Sequence, residues 1–250
     1  MRRRIMAGNW KMYKTVQQTI EFFQRFNPLV NGVHKCDVVI FPPFVNIPAA
    51  QCAAAGTEIK VGGQDVHWGK EGAYTGEISA GMLAAAGCEW VLVGHSERRL
   101  YGFETDADVL KKTQSSLEAG LTPVVCVGEK LEERKAGKTE QILVEQFAGG
   151  LAGLTEEQFS KVVIAYEPVW AIGTGHTATP DIAADAHRLI RSEVQKRFGS
   201  DAAEAVRILY GGSVKPDNVE RLMLEQDLDG ALVGGASLDA ESFSKIVHAA

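Results

Sequence analysis

No excess of positive charge, no long apolar run and no paired cysteines mark this 250-residue chain, and each absence removes a class of function. Lys and Arg number 26 against 32 Asp and Glu, giving a formal net charge of −6. With a pI near 5.6, a broad basic surface for nucleic acid or anionic lipid is excluded, and an anionic small molecule would need a local positive pocket. Apolar runs stop well short of the ~20 residues of a membrane-spanning helix, so no membrane association is expected. Arg2, Arg3 and Arg4 imitate the start of a secretory signal, but Gly8 and Asn9 interrupt the apolar stretch behind them. Cys36, Cys52, Cys88 and Cys126 lie far apart without metal-ligand spacing and read as reduced thiols of a cytoplasmic protein. His34, His67, His176, His187 and His248 are equally scattered, which leaves no metal site to expect.

What is present is a regular alternation. The apolar fraction of 45% and charged fraction of 23% are those of an ordinary globular protein, and the length suits one domain over 1–250. Eight short, β-branched apolar runs recur at 4–10, 37–41, 59–63, 90–94, 122–128, 161–166, 206–211 and 230–234. Between them, 15–26, 106–119, 139–151, 180–198 and 240–247 carry helical periodicity. Val38-Val39-Ile40-Phe41 and Val162-Val163-Ile164-Ala165 are apolar at every position, as in parallel strands covered on both faces. Eight such units fit a closed (β/α)8 barrel of the α/β class better than an open doubly wound sheet.

Closure predicts where chemistry collects, because the sites of such barrels gather at the C-terminal strand ends. Unusual residues stand there: Asn9 and Lys11 after the first run, His95 and Glu97 after the fourth and Glu167 after the sixth. Gly211-Gly212-Ser213 follows the seventh run and Gly234-Gly235 the eighth, where backbone N–H groups of barrels often hold a phosphate. Glu167 alone is compatible with an ion pair or helix cap, and its position at the mouth before Pro168 favours a catalytic carboxylate. Asn9 and Lys11, two residues apart near a strand end, are expected to point the same way into the mouth. His95 precedes a helix start in which Ser96 reads as the cap. The helix N-terminus should lower its pKa, and the neutral imidazole could then hydrogen-bond a carbonyl oxygen.

Glu167 is followed by Pro168, Val169, Trp170, Ala171, Ile172, Gly173, Thr174, Gly175, His176, Thr177 and Ala178, longer than an ordinary strand-to-helix connection of about 2–6 residues. Apolar side chains between Pro and Gly positions suggest a rigid lid hinged at its ends. The same stretch fits G-x-G-x-x-A, with Glu193 about 20 residues on where an acid could bind ribose. That fingerprint must follow its strand at once, whereas Gly173 comes seven residues after Tyr166, so a nicotinamide site is rejected. Another barrel enzyme acting on a phosphorylated metabolite, and a non-catalytic barrel, remain the alternatives at this level.

The strings Gly8-Asn9-Trp10-Lys11-Met12, Gly94-His95-Ser96-Glu97-Arg98-Arg99, Tyr166-Glu167-Pro168-Val169-Trp170-Ala171-Ile172-Gly173-Thr174-Gly175 and Tyr210-Gly211-Gly212-Ser213-Val214 together resemble the triosephosphate isomerase family, as do Cys126-Val127-Gly128-Glu129 and Val233-Gly234-Gly235-Ala236. The resemblance implies a single-domain TIM barrel that interconverts dihydroxyacetone phosphate and D-glyceraldehyde 3-phosphate without a metal or organic cofactor. It implies Glu167 as base, His95 as electrophile, Lys11 and Asn9 as electrostatic partners with Glu97 beside them, and Gly173, Ser213, Gly234 and Gly235 as the phosphate grip. The pairing of glutamate, neutral histidine and closing loop is the family's own pattern. It further implies a homodimer in which the loop 64–79, including Gln64, interlocks two subunits and Thr75 reaches the neighbouring site. His176 stands where the family usually has lysine, at the C-terminal hinge of the lid.

Overall fold

Each of the eight apolar runs forms a strand: β1 (Arg4–Asn9), β2 (Cys36–Phe41), β3 (Lys60–Gly63), β4 (Trp90–Val93), β5 (Thr122–Val127), β6 (Val163–Tyr166), β7 (Arg207–Tyr210) and β8 (Gly230–Val233). The computed structural model describes residues 2–172 and 178–250. The strands pair in chain order, all parallel, and β8 returns to β1 to close the barrel. The register runs from Arg4 opposite Cys36 to Asn9 opposite Phe41, and Ala7 opposite Leu232 seals the last seam.

Five runs extend one residue beyond their strands, at Trp10, Gly94, Gly128, Gly211 and Gly234. These residues are as apolar or small as the strands, so composition does not separate them. The ladder ends before them because the chain turns there into the mouth loops. At the opposite end Ile59, Val162 and Val206 are buried yet lie outside the ladder.

The two-residue period divides the core. Ile5, Ala7, Val39, Phe41, Leu92 and Cys126 belong to a cluster made only of strand residues, the barrel interior. Their neighbours Met6, Val38, Ile40, Val91, Val93 and Val127 belong to the larger cluster shared with the helices. Each fully buried aliphatic or phenyl side chain contributes about 1.5–3 kcal/mol of transfer free energy, before entropy is subtracted. β3 gives the interior a glycine, because a methyl group on Gly62 would meet the Phe41 ring at 2.5 Å and the Trp90 carbonyl oxygen at 2.6 Å.

The helix Val16–Val30 starts at a capping box between Thr15 and Gln18 and buries Phe22, Phe23 and Phe26. It continues four residues past the expected end at Phe26 and includes Pro28. The proline lies in the last turn, where its missing N–H leaves the Gln24 carbonyl without its helical donor. Pro180–Ala205 likewise passes Phe198, but Gly199 at φ +87° breaks it into two helical pieces, so the first does end near Phe198. Among the described residues no helix is long and apolar enough to cross a membrane. All four cysteines are free, with Cys36, Cys88 and Cys126 buried.

Candidate active site

Glu167 is the first residue beyond β6, and its N–H donates to the Val127 carbonyl at 2.7 Å. Glycines flank it on both neighbouring strand ends. A Cβ on Gly128 would stand 1.7 Å from the Glu167 carbonyl oxygen, and one on Gly211 2.8 Å from its Cγ. The carboxylate is buried, with Oε2 accepting the Ser96 N–H at 2.9 Å and Oε1 lying 2.9 Å from His95 Nε2.

Gly94 at φ +69° makes the turn that carries the chain from β4 into His95. His95, and not Ser96, caps the helix Ser96–Tyr101: its Nδ1 accepts the Glu97 N–H at 3.2 Å. A nitrogen that accepts carries no proton, so the neutral ring bears its hydrogen on Nε2, facing Glu167. Burial opposes the charged Glu167 carboxylate, but His95 and the Ser96 N–H outweigh it and hold its pKa below the usual carboxylate range. Burial also opposes a charged His95, and contact with Glu167 outweighs it, so the imidazole lies above its ordinary value. The lowered histidine expected from the helix N-terminus is thus reversed while the carboxylate rests on the ring.

Lys11 lies beyond the end of β1 in left-handed backbone, φ +51°, so simple strand alternation does not place it. Gln64 holds this strained conformation by donating Nε2 to the Lys11 carbonyl at 2.8 Å and to the Phe41 carbonyl at 2.9 Å. The Asn9 side-chain oxygen accepts the Lys11 N–H at 2.9 Å, and Glu97 Oε1 holds Lys11 Nζ at 2.7 Å. Asn9, Lys11, His95, Glu167, Ser213, Gly234 and Gly235 all line one cavity of about 720 Å³ at the barrel mouth, with Ile172 and Leu232 as apolar wall. Glu97 is absent from that lining and reaches the cavity only through Lys11. Gly173 lies outside the described residues. Among the described residues no group of three or more His, Cys, Asp or Glu could hold a metal ion.

Residues that sequence reasoning missed lie behind this surface. Glu129 is fully buried and accepts from the Tyr166 hydroxyl at 3.1 Å, the Trp170 Nε1–H at 2.9 Å and the Arg134 Nη1–H at 3.3 Å. It thereby ties the first part of the suggested lid to the end of β5. Val169–Ala171 forms a 3₁₀ turn, and Val169 N–H donates to the Glu129 carbonyl at 3.1 Å. The signal available was an acid after Gly128 at another strand end. Gly173, Thr174, Gly175, His176 and Thr177 lie outside the described residues, while Ala178 is buried. Glu193, the acid of the rejected nucleotide reading, pairs with Lys196 within its helix. Thr75 is exposed in the loop 64–79, where His67 stacks between Trp68 and Tyr74 at centroid distances of 4.4 and 4.1 Å.

A closed parallel barrel, with a carboxylate and an imidazole in contact at the C-terminal mouth beside a lysine and two glycine turns, has the architecture of a (β/α)8 barrel enzyme. Residues 4–250 match the family described as triosephosphate isomerase. The chain is 62% identical to the triosephosphate isomerase of Solibacter usitatus over 248 residues, 99% of this chain and 100% of that one. It is 52% identical to those of Citrifermentans bemidjiense, with 99% of each chain covered, and Caldanaerobacter subterraneus, with 99% of this chain and 100% of that one covered. The chain belongs to the triosephosphate isomerase family.

Proposed function

We propose that the protein interconverts dihydroxyacetone phosphate and D-glyceraldehyde 3-phosphate, in glycolysis and gluconeogenesis in the cytoplasm. The observation that carries this reading is the buried Glu167 carboxylate 2.9 Å from His95 Nε2, on the wall of a cavity that also holds Lys11 and the Gly211 and Gly234 turns. Glu167 takes a proton from the carbon beside the carbonyl, giving an enediolate, and returns it to the former carbonyl carbon, while the hydroxyl proton passes from one oxygen to the other by way of His95 Nε2. The His95 Nε2–H and the Lys11 ammonium stabilise the charge on its oxygens, while Asn9 fixes Lys11 through its backbone. Ser213, Gly234, Gly235 and Gly173 hold the phosphate.

Both Glu167 oxygens are engaged before substrate arrives, one by Ser96 and one by His95. Catalysis therefore needs the carboxylate to leave both the Ser96 N–H and the His95 Nε2–H for the substrate C–H, which frees that Nε2–H for a substrate oxygen. A carboxylate is a weak base toward carbon, and water exclusion by the lid from Pro168 to Ala178 strengthens it. Tethering of Trp170 to Glu129 supports a lid anchored at that end.

A coupled assay with each triose phosphate should register reversible conversion without metal or nicotinamide in the isomerisation step. Glu167→Gln should lower kcat by at least ~10²-fold with the fold retained, the lower end for a general base. Near-normal turnover by that variant would falsify the assignment.

A homodimer is part of the same proposal. Met12 at 94%, Val45 at 78% and Tyr74 at 49% exposure lie in the loops after β1, β2 and β3, more apolar surface than isolated loops need. Gln64 joins two of these loops through Lys11, and Thr75 is exposed in the loop after β3.

A further inference from the structure

Lys14 shares an arrangement with Lys11 that no neighbouring loop residue repeats. Lys11, Lys14 and Phe103 are the non-glycine residues with positive φ among those described, and two of the three lie in the loop after β1. Lys14 stands at φ +74°, a conformation that costs a non-glycine residue stability and persists only where the surroundings impose it. Asn46, fully buried, supplies that constraint by donating Nδ2 to the Lys14 carbonyl at 2.7 Å, as Gln64 does for Lys11. Two strained lysines, each fixed by a side-chain amide from an adjoining loop, therefore carry their ammonium groups toward the same end of the barrel.

The Lys14 ammonium is committed. It donates to the Leu238 carbonyl at 2.8 Å while lying 5.2 Å from the Trp10 ring centroid and 5.0 Å from that of Phe22. Leu238 ends the 3₁₀ turn Gly235–Leu238, whose first residues, with Gly234, line the cavity. Trp10 grips the same turn, donating Nε1 to the Ser237 carbonyl at 3.1 Å, and Ser237 closes it by donating Oγ to the Gly234 carbonyl at 2.7 Å. Gly234 and Gly235 have no side chains to pack, so their backbone direction depends on what holds the far end of the turn. Lys14 and Trp10 tether the chain after β1 to that far end.

We propose that Lys14 is a positioning residue for substrate phosphate, acting through Leu238 and Trp10 to aim the backbone of the Gly234–Gly235 turn. The inference rests on the reading of that turn as the phosphate grip. The cation–π contacts with Trp10 and Phe22 fix the direction of the ammonium.

The test uses two variants of the full-length protein. Lys14→Gly removes the tether and also relieves the left-handed strain, so it should keep its melting temperature; Lys14→Arg keeps a cation within reach of the Leu238 carbonyl. For Lys14→Gly, KM for triose phosphate and the inhibition constant of inorganic phosphate should both rise roughly threefold to tenfold, the range of a residue acting through others. Turnover of unphosphorylated glyceraldehyde should stay within about twofold of wild type, and Lys14→Arg should recover most of the phosphate affinity. Equal losses on both substrates, or unchanged phosphate inhibition, overturn the role of Lys14. A wild-type protein that inorganic phosphate fails to inhibit overturns the phosphate grip itself, which is a separate result.

Discussion

Gly128→Ala adds one methyl group at the point where the end of β5 meets Glu167, and the structure sets the size of the effect. The new Cβ would lie 1.7 Å from the Glu167 carbonyl oxygen and 2.5 Å from its carbonyl carbon, against a practical limit of 3.0 Å. Gly128 cannot retreat, because Gln146 grips it twice, accepting its N–H at 2.7 Å and donating to its carbonyl at 3.1 Å. Glu167 must therefore move, from 1.7 to 3.0 Å, a displacement of about 1.3 Å that strains its 2.7 Å bond to the Val127 carbonyl. A base misplaced by about 1 Å loses on the order of 10²-fold in rate. Overpacking of this kind costs about 1–3 kcal/mol, which lowers Tm by about 2–12 °C in a chain of this size. The assay is kcat/KM in both directions beside a thermal melt. Gly81→Ala is the control, because its Cβ would find only Ser79 Oγ at 3.9 Å and should leave both measurements unchanged or raise Tm. Wild-type rate and Tm in Gly128→Ala would refute the claim that the glycine exists to admit the Glu167 backbone.

Two further outcomes follow from burial and from the exposed loops. His187 is fully buried, and among the described residues its Nδ1 alone is bonded, to the Asp227 carbonyl at 3.0 Å; burial lowers its pKa from 6.5 to about 4. The unfolded chain binds this proton below about pH 6.5 and the native one does not, so stability should fall between about pH 6.5 and 4 by up to about 1.4 kcal/mol per pH unit. Urea titrations of wild type and His187→Gln check this, and an equally steep acid loss in the variant would contradict it. For the dimer, sedimentation should give twice the 27.0 kDa chain mass for wild type. Thr75→Arg should shift it toward the single-chain mass with a parallel loss of rate, and a monomeric wild type would remove the interface.

The barrel was legible because its signal is local. Runs such as Val38-Val39-Ile40-Phe41 are too short and too uniformly apolar for surface helices, and eight of them separated by helical stretches leave few topologies. Strand ends were less legible, since Gly94 and Gly128 resemble their strands in composition and differ only in where the ladder stops. The placement of Glu167, Lys11, His95, Ser213 and Gly234 in one cavity followed from closure alone, as all stand at the same end of parallel strands. The same rule groups Glu97 with them, yet its side chain pairs with Lys11 and does not line the cavity.

Sequence by itself determined the barrel, the end at which chemistry collects and the residue types available there, because period and order along the chain encode them. Tertiary structure alone decided how those residues meet. Lys11 and Lys14 adopt left-handed backbone only because Gln64 and Asn46, distant in the chain, hold their carbonyls. His95 rests above its ordinary pKa, and not below it, only because Glu167 folds onto its ring. Glu129 is fully buried only where Tyr166, Trp170 and Arg134 converge on it. Contacts of this kind depend on which loops the closed barrel brings within 3 Å, and a linear pattern carries no record of that distance.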